Sequence, residues 1–412
     1  MKGEYSRWLS KNLINALDYR RVVVVSGARQ TGKTTLTEQL KVPGIEFYTL
    51  DDTDLLDLAL RDPKGFVQTQ AKTLIIDEIQ KAPKLISEIK RIVDKNNRNG
   101  QFLLTGSVNL QTMPSATESL AGRVKNIKLR PFANGEILRK KPVFLERAFN
   151  SDFPVSIHGY DKRAIFDLAF RGGYPEAVRI KNCNERREWH KDYLKTLIDY
   201  DLTDIANIRR KEALEEMLPV LAAWSGKFMD MNTIGSSLSL TRPTLESYVN
   251  WLLALFIFEK VPPWLKTDYD RIGKKPKLYA ADSGLMTSVL NWQIKEVMLN
   301  VDRSGKLMET FVFQELAVQV DLNSRYSLYQ YRDREKREID FIIERDDGAV
   351  LGIEVKAGHN VSLDDFKPQE WFRNNILKNK KPYTGIVLYS GDRTIMYSGN
   401  LLAVPIAALW TE

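Results

Sequence analysis

The sequence predicts a multidomain α/β protein: a doubly wound parallel-sheet core at the N-terminus, a helical middle, and a small α/β domain at the C-terminus. Three observations carry this expectation. A β-branched run, Val22–Val25, leads directly into a glycine-rich loop and a helix. Two further apolar strands, ending at Asp77-Glu78 and at Thr105-Gly-Ser107, follow at spacings that leave room for helices between them. A pair of acidic strands carrying Asp340 and Glu354 stands apart, far along the chain. At 412 residues the chain exceeds what one hydrophobic core organises. Segments are expected at 1–150, 151–183 (a helical lid), 184–300 and 301–412.

Composition excludes several classes. With 43% hydrophobic and 28% charged residues, the chain is neither disordered nor fibrous. The single cysteine, Cys183, excludes an internal disulfide and a cysteine-based zinc site, and points to a reducing, cytoplasmic setting. The N-terminal residues lack the apolar stretch of a signal peptide. The apolar runs Val22–Val25 and Trp251–Phe258 fall far short of the roughly 20 residues of a membrane helix, so no membrane partner is expected. A formal charge of +8 is compatible with nucleic-acid binding but modest for this length. His158, His190 and His359 are isolated, which argues against a histidine metal cluster.

The first strand is followed by Gly27, Ala28, Arg29, Gln30, Thr31, Gly32, Lys33 and Thr34, a full match to the phosphate-loop pattern, with Thr35 opening a helix. In that pattern the glycines let backbone N–H groups approach phosphates, Lys33 reaches the β- and γ-phosphates, and the Thr34 hydroxyl binds Mg²⁺. ATP with Mg²⁺ is therefore the expected ligand. The strand Thr73-Leu-Ile-Ile-Asp77-Glu78 ends in two carboxylates. Asp77 is placed to hold the magnesium shell and Glu78 to polarise the attacking water. Thr105 and Ser107, at the end of a third strand, are candidate sensors beside the γ-phosphate. Arg123 is a candidate finger, in cis or from a neighbouring subunit, and equally a surface arginine.

These motifs resemble a family of prokaryotic AAA-type ATPases that carry a C-terminal domain of unknown function, DUF4143. The resemblance runs from the phosphate loop through Ile75-Ile-Asp-Glu-Ile-Gln-Lys-Ala-Pro83, Leu104-Thr-Gly-Ser107 and Ser119-Leu-Ala-Gly-Arg123. It continues at Gly172-Gly-Tyr-Pro-Glu176, Lys277-Leu-Tyr and Asp282-Ser-Gly284. It implies an AAA-like core, a helical region, and C-terminal winged-helix and nuclease-like elements.

In the middle of the chain, Met231–Leu238, a turn at Ser239–Pro243 and a helix over Thr244–Phe258 read as helix-turn-helix, with Thr241 as a cap and Arg242 and Thr244 at the start of a recognition helix. The second helix carries few basic residues, so a packing pair is as good a reading as DNA contact. Near the C-terminus a helix opening at Gly305 carries Glu309 in its early turns. Arg337–Ile343 and Leu351–Lys356 form a hairpin that sets Asp340 beside Glu354 and Lys356. This set resembles the PD-(D/E)xK restriction-endonuclease-like superfamily, with Ile339 where the superfamily's proline would stand. The resemblance implies that Glu309, Asp340 and Glu354 bind Mg²⁺ and that Lys356 orients the nucleophile. An inactive nuclease-like fold remains the alternative. Arg332, Arg334, Lys336 and Arg337 read either as a phosphate grip or as a solvated edge.

Two functions follow. One is an ATPase that couples nucleotide state to DNA or RNA handling, with Mg²⁺-dependent cleavage at the C-terminus. The other is a nucleotide-dependent switch in signalling or defence whose C-terminal domain binds a protein partner. Assembly into a homo-oligomer is open in both.

Overall fold

The computed structural model describes residues 5–40, 44–108, 122–201, 211–236, 238, 240–265, 275–398 and 400–411. Ser119, Leu120 and Ala121, quoted above with Arg123, lie outside the described residues, as does part of the turn between Met231 and Arg242. The chain divides into two compact units, Met1–Pro131 with Ala254–Ile257, and Phe132–Leu253 with Phe258–Glu412. It leaves the first unit at Pro131, ahead of the expected boundary at residue 150.

In the first unit, β1 (Val22–Ser26), β2 (Ile45–Thr49), β3 (Thr73–Asp77), β4 (Phe102–Gly106) and β5 (Val124–Lys128) form one sheet in the order β2-β3-β4-β1-β5. Every pairing is parallel. Parallel neighbours require crossovers, and helices supply them: α1 (Lys33–Glu38) follows β1, and α2 (Lys84–Lys95) lies between β3 and β4. The valines of β1 are all buried, which is why the strand is a continuous apolar run and not an alternating one. α2 buries Leu85, Ile86, Ile89 and Val93, a one-sided helical stripe. That stripe shares a core with Val22, Val24, Ile76, Phe102 and Leu104. By the period of two, Val23 and Val25 serve the other face. Since all strands run one way, Ser26, Asp77 and Gly106 end at one edge of the sheet, and Val22 and Val124 start at the opposite edge.

The second unit begins with helices, among them Lys162–Arg171, Cys183–Thr196 and Lys211–Ala223. The helix-turn-helix expectation falls on Met231–Ser236 and α3 (Arg242–Ala254), shorter than foreseen because Phe258 already opens a strand. Around it, β6 (Lys227–Phe228), β7 (Phe258–Val261) and β8 (Lys277–Ala280) form an antiparallel sheet in the order β6-β8-β7. α4 (Ser283–Val289) and then α5 (Val301–Asp321) follow. α5 starts before Gly305, because the Asn300 side chain caps it by accepting the Arg303 N–H at 2.9 Å. Glu309 therefore sits well inside this helix and not in its first turns.

A six-stranded mixed sheet closes the chain: β9 (Tyr326–Arg332), β10 (Glu338–Arg345), β11 (Val350–Lys356), β12 (Tyr383–Tyr389), β13 (Ile395–Met396) and β14 (Leu401–Pro405), in the order β13-β14-β12-β11-β10-β9. β9, β10 and β11 are antiparallel, while β11, β12 and β14 are parallel. The β10–β11 hairpin is as expected, and Gly348 supplies the positive φ of its turn. No helix among the described residues is long and apolar enough to cross a membrane.

The Gly172-Gly-Tyr-Pro and Asp282-Ser-Gly runs meet in the core of the second unit. The Gly173 N–H donates to Asp282 Oδ2 at 2.6 Å, and the Gly173 carbonyl accepts the Phe132 N–H at 2.7 Å. Asp282 also caps α4 by accepting the Leu285 N–H at 2.8 Å. A Cβ on Gly173 would lie 2.2 Å from the Phe132 carbonyl oxygen, so no larger residue fits. Next to this node, the fully buried Glu315 carboxylate accepts the Asn134 backbone N–H at 3.0 and 3.1 Å and its side-chain amide at 2.8 Å.

Gly173→Ala is expected to destabilise the second unit by about 1–3 kcal/mol through overpacking, read as a lowered unfolding midpoint in urea. Burial pushes the Glu315 carboxyl up to about 7, against the hydrogen bonds from Asn134 that lower it. A carboxyl raised in the fold above its model value of 4.5 favours the protonated native state. Its contribution is complete below that value and is lost as pH rises through about 7. Unfolding free energies measured across this window should therefore fall less steeply with pH in Glu315→Gln than in the wild type.

Candidate functional site

The loop between β1 and α1 has the backbone of an anion cradle. Gln30 (φ 60°) and Gly32 (φ 90°) both adopt the left-handed region, which turns successive N–H groups toward one point. Gly27 is fixed by closeness and not by φ: a Cβ there would lie 2.2 Å from the Leu129 carbonyl oxygen. The Thr31 hydroxyl closes the turn by donating to the Ala28 carbonyl at 2.9 Å. Lys33 is buried, and its ammonium donates to the Gly27 and Ala28 carbonyls at 3.1 Å each, so its charge is held at the loop. Arg29 is half-buried, and Gln30 and Thr35 are exposed at the loop's rim.

Asp77 is the centre of this edge of the sheet. Its Oδ2 accepts the Thr34 hydroxyl at 3.0 Å and the Thr49 hydroxyl at 3.4 Å, and its Oδ1 accepts the Thr105 hydroxyl. Burial pushes the Asp77 carboxyl up and the neighbouring Glu78 charge adds to this, while the Thr105 and Thr34 hydroxyls and Lys33 draw it down. Thr105 is thus a clamp: its oxygen also accepts the Glu78 N–H at 3.2 Å. Glu78 itself stands at φ 57°, ψ 44°, a left-handed conformation that costs a non-glycine residue on the order of 1 kcal/mol. Its carboxylate is held by the Gln80 amide, which also donates to the Ser107 hydroxyl at 2.9 Å. Ser107 therefore reaches the site through Gln80, and Thr49 and Gln80 join a constellation in which the sequence reading gave them no part. Gln80 had a detectable signal, an amide two residues beyond an acid pair. Thr49 had none, since it arrives by strand pairing alone.

Arg123 is a correction where a cis finger was considered. It precedes β5 at the edge where Val22 starts, opposite the phosphate loop, and its guanidinium pairs with Asp94 at the end of α2. β1 and β5 separate it from Gly27 by the length of a strand.

The C-terminal set is brought together around a lysine that the sequence reading did not include. Lys277, on β8, enters between the carboxylates. Its ammonium lies 2.9 Å from Glu309 Oε1, 2.5 Å from Glu338 Oε1 and 3.2 Å from Asp340 Oδ1, with 1% of the side chain exposed. The Tyr279 hydroxyl donates to Glu309 Oε1 at 2.6 Å, and Asp340 Oδ2 accepts the Val355 N–H at 3.0 Å. Glu354 is 3.1 Å from the Lys356 ammonium, which also lies 3.6 Å from Asp365. Burial alone would lower the Lys277 pKa. Glu309, Tyr279, Asp340 and Glu338 outweigh it and hold the ammonium well above the usual lysine range. Burial, then the Asp340 charge, raises Glu309 and Glu354. No group of three or more acidic, histidine or cysteine side chains among the described residues is arranged to hold a metal ion. The expected magnesium site at Glu309, Asp340 and Glu354, with Lys356 beside it, did not include Lys277, which meets Glu309 and Asp340 directly. Its only sequence signal was a charged residue opening the otherwise apolar run Lys277-Leu-Tyr-Ala.

Three of the cationic positions considered for nucleic acid are countered locally, while Arg334 and Lys336 are exposed. Arg242 pairs with Glu246 at 2.8 Å, Arg337 with Asp333 at 2.8 Å and with Glu335, and Arg332 lies 3.8 Å from Glu338. His190 is buried against the Ser288 hydroxyl at 2.8 Å, and burial lowers its pKa to about 3, which marks a neutral packing residue.

Comparison with known proteins agrees with the architecture. Residues 19–138 match a family model described as an AAA domain, and residues 162–296 and 304–409 match domains of unknown function, DUF8612 and DUF4143. An uncharacterized protein of Mycobacterium tuberculosis is 24% identical over 401 residues, 97% of this chain and 83% of its own. One of Methanocaldococcus jannaschii is 21% identical over 341 residues, 78% and 72% of the two chains. Among solved structures, a signal transduction ATPase with a tetratricopeptide repeat sensor from Pyrococcus horikoshii aligns at 12% identity over 77% of this chain and 46% of its own, with a TM-score of 0.21. A likeness so loose carries no argument. The chain thus carries one segment that matches an AAA domain and, toward its C-terminus, one that matches the DUF4143 domain.

Proposed function

We propose that this chain binds ATP with magnesium at the Gly27–Thr34 loop, hydrolyses it, and works as a nucleotide-dependent switch whose second unit binds a partner and does not cut nucleic acid. The observation that supports the first part most is the hydrogen bond between the Thr34 hydroxyl and Asp77 Oδ2 at 3.0 Å. Those two oxygen groups, one from the loop and one from β3, are the pair a magnesium ion on a bound triphosphate requires. The donor set fits: hard oxygen ligands at a buried edge, beside an anion cradle and a lysine.

When bound, magnesium would neutralise charge on the phosphates. Thr34 and Asp77 are the residues that would hold it. The rest is done by the chain's own groups. The loop N–H groups bind the phosphates, and Lys33 exchanges its two carbonyl acceptors for phosphate oxygens. Glu78, held by Gln80 and by its strained backbone, orients the attacking water. Thr105 keeps Asp77 and Glu78 in register.

The second part is favoured over cleavage by Lys277, which stands in the carboxylate cluster, and over nucleic-acid handling by the local pairing of Arg242 and Arg337. Arg123 would serve as a finger only across an assembly, in which case turnover per chain rises with protein concentration.

Lys33→Ala is expected to abolish ATP binding in a fluorescent-nucleotide titration and to bring phosphate release to background. Glu78→Gln should keep binding while turnover falls by about 10²-fold or more. Wild-type turnover in Glu78→Gln would remove Glu78 from its role. Thr105→Val leaves a buried carboxylate oxygen and an N–H unpaired, a cost of about 1–3 kcal/mol, so magnesium-dependent ATP affinity should drop about ten-fold. Duplex or single-stranded DNA added at low salt should leave phosphate release unchanged. Stimulation that disappears as salt rises would restore the nucleic-acid reading.

A further inference from the structure

The carboxylates of the C-terminal cluster are supplied by two layers of the second unit, Glu309 by α5 and Glu338 and Asp340 by β10, whereas the ammonium comes from a third, β8. Three of the oxygens that a divalent ion would draw on are already engaged. Glu309 Oε1 takes Lys277 and Tyr279, Asp340 Oδ1 takes Lys277, and Asp340 Oδ2 takes the Val355 N–H. The distances are those of charge-assisted hydrogen bonds, not of coordination. Lys277 is not a surface side chain that happens to swing inward. Its strand pairs with both β6 and β7, and its ammonium lies 5.6 Å from the centre of the Phe228 ring, whose ring Arg332 also covers at 4.6 Å.

We infer that Lys277 is the resident cation of this cluster, so that the folded domain takes no divalent ion at Glu309, Asp340 and Glu354, and that the ammonium is what keeps such an ion out. With no phosphate charge to offset it, a second cation here would have to enter against the repulsion of an ammonium already bonded to the same oxygens. The ammonium carries one charge against three neighbouring carboxylates. Removing it without refilling the site leaves buried acids uncompensated, and these then recruit a hard cation. The inference does not rest on the ATPase reading, and protein without nucleotide separates the failure of one from the failure of the other.

The test is Mn²⁺ binding to the full-length chain without nucleotide, followed by the loss of the free-ion electron paramagnetic resonance signal, together with thermal unfolding in EDTA and in Mn²⁺. Wild type, Lys33→Ala, Asp340→Asn, Lys277→Met, Lys277→Gln and Lys277→Met/Asp340→Asn are compared. Wild type is expected to take up no Mn²⁺ that depends on Asp340, and its unfolding midpoint should be the same in both media. Lys277→Met, which keeps the buried length and removes the charge, should bind Mn²⁺ at least about ten-fold more tightly than wild type, lose that gain when Asp340→Asn is added, and recover stability on adding the ion. Mn²⁺ uptake by wild type that Asp340→Asn abolishes and Lys33→Ala does not would overturn the inference. So would folded Lys277→Met or Lys277→Gln with no gain. Should neither variant fold, the wild-type and Asp340→Asn titrations decide alone: Asp340-dependent uptake overturns it and its lack supports it.

Discussion

Asp77 is the point on which the nucleotide edge of the first unit is organised. A buried carboxylate is costly unless hydrogen-bonded, and this one gathers hydroxyls from α1, β2 and β4 while sitting on β3. Four elements far apart in sequence are thereby tied at one edge. The parallel order of the sheet is what makes the gathering feasible, because every strand delivers its last residue to the same side. The strain at Glu78 belongs to the same construction. A residue held in the left-handed region at a strand end is aimed by its backbone, and Thr105 and Gln80 keep it there.

The second unit solves a similar problem in the opposite way. Its carboxylates are also clustered and buried, yet they are answered from within chiefly by a lysine, with the Tyr279 hydroxyl beside it. Hydroxyls leave the negative charge in place for an incoming cation, whereas an ammonium offsets part of it and occupies the space between the carboxylates. The two acidic centres of one chain are thus satisfied by different donors, although both follow from the same cost of burying an unpaired charge.

Much of the first centre was legible in the sequence. The phosphate loop is local, eight residues with one backbone solution, and the strand ending in Asp77-Glu78 is equally local. What was not legible came from pairing across the sheet: Thr49 meets Asp77 because β2 lies beside β3, and Arg123 is excluded from its own loop because β5 runs parallel to β1. In the second unit the acidic residues and the β10–β11 hairpin could be read, since alternation and a glycine turn specify them. The cation between them could not. Lys277 comes from a strand whose neighbours in sequence say nothing of α5 or β10, and a spacing argument that asks only which acids can converge has no way to notice a base that arrives first. The start of α5 was misplaced for a smaller reason, an asparagine cap at position 300 outweighing the glycine that looked like a helix opening.

The close contact among Gly172, Gly173, Asp282 and Gly284 bears on how such sequences are compared. A Cβ on Gly172 would meet the Asp282 carboxylate at 2.3 Å, and one on Gly284 would meet Arg171 backbone at 2.8 Å. Two short runs more than a hundred positions apart thus have no independent freedom to drift: a change in either is tolerated only with a compensating change in the other. Such runs take on the look of a signature while touching no ligand, so shared lettering at these places measures a joint steric lock and is silent about chemistry.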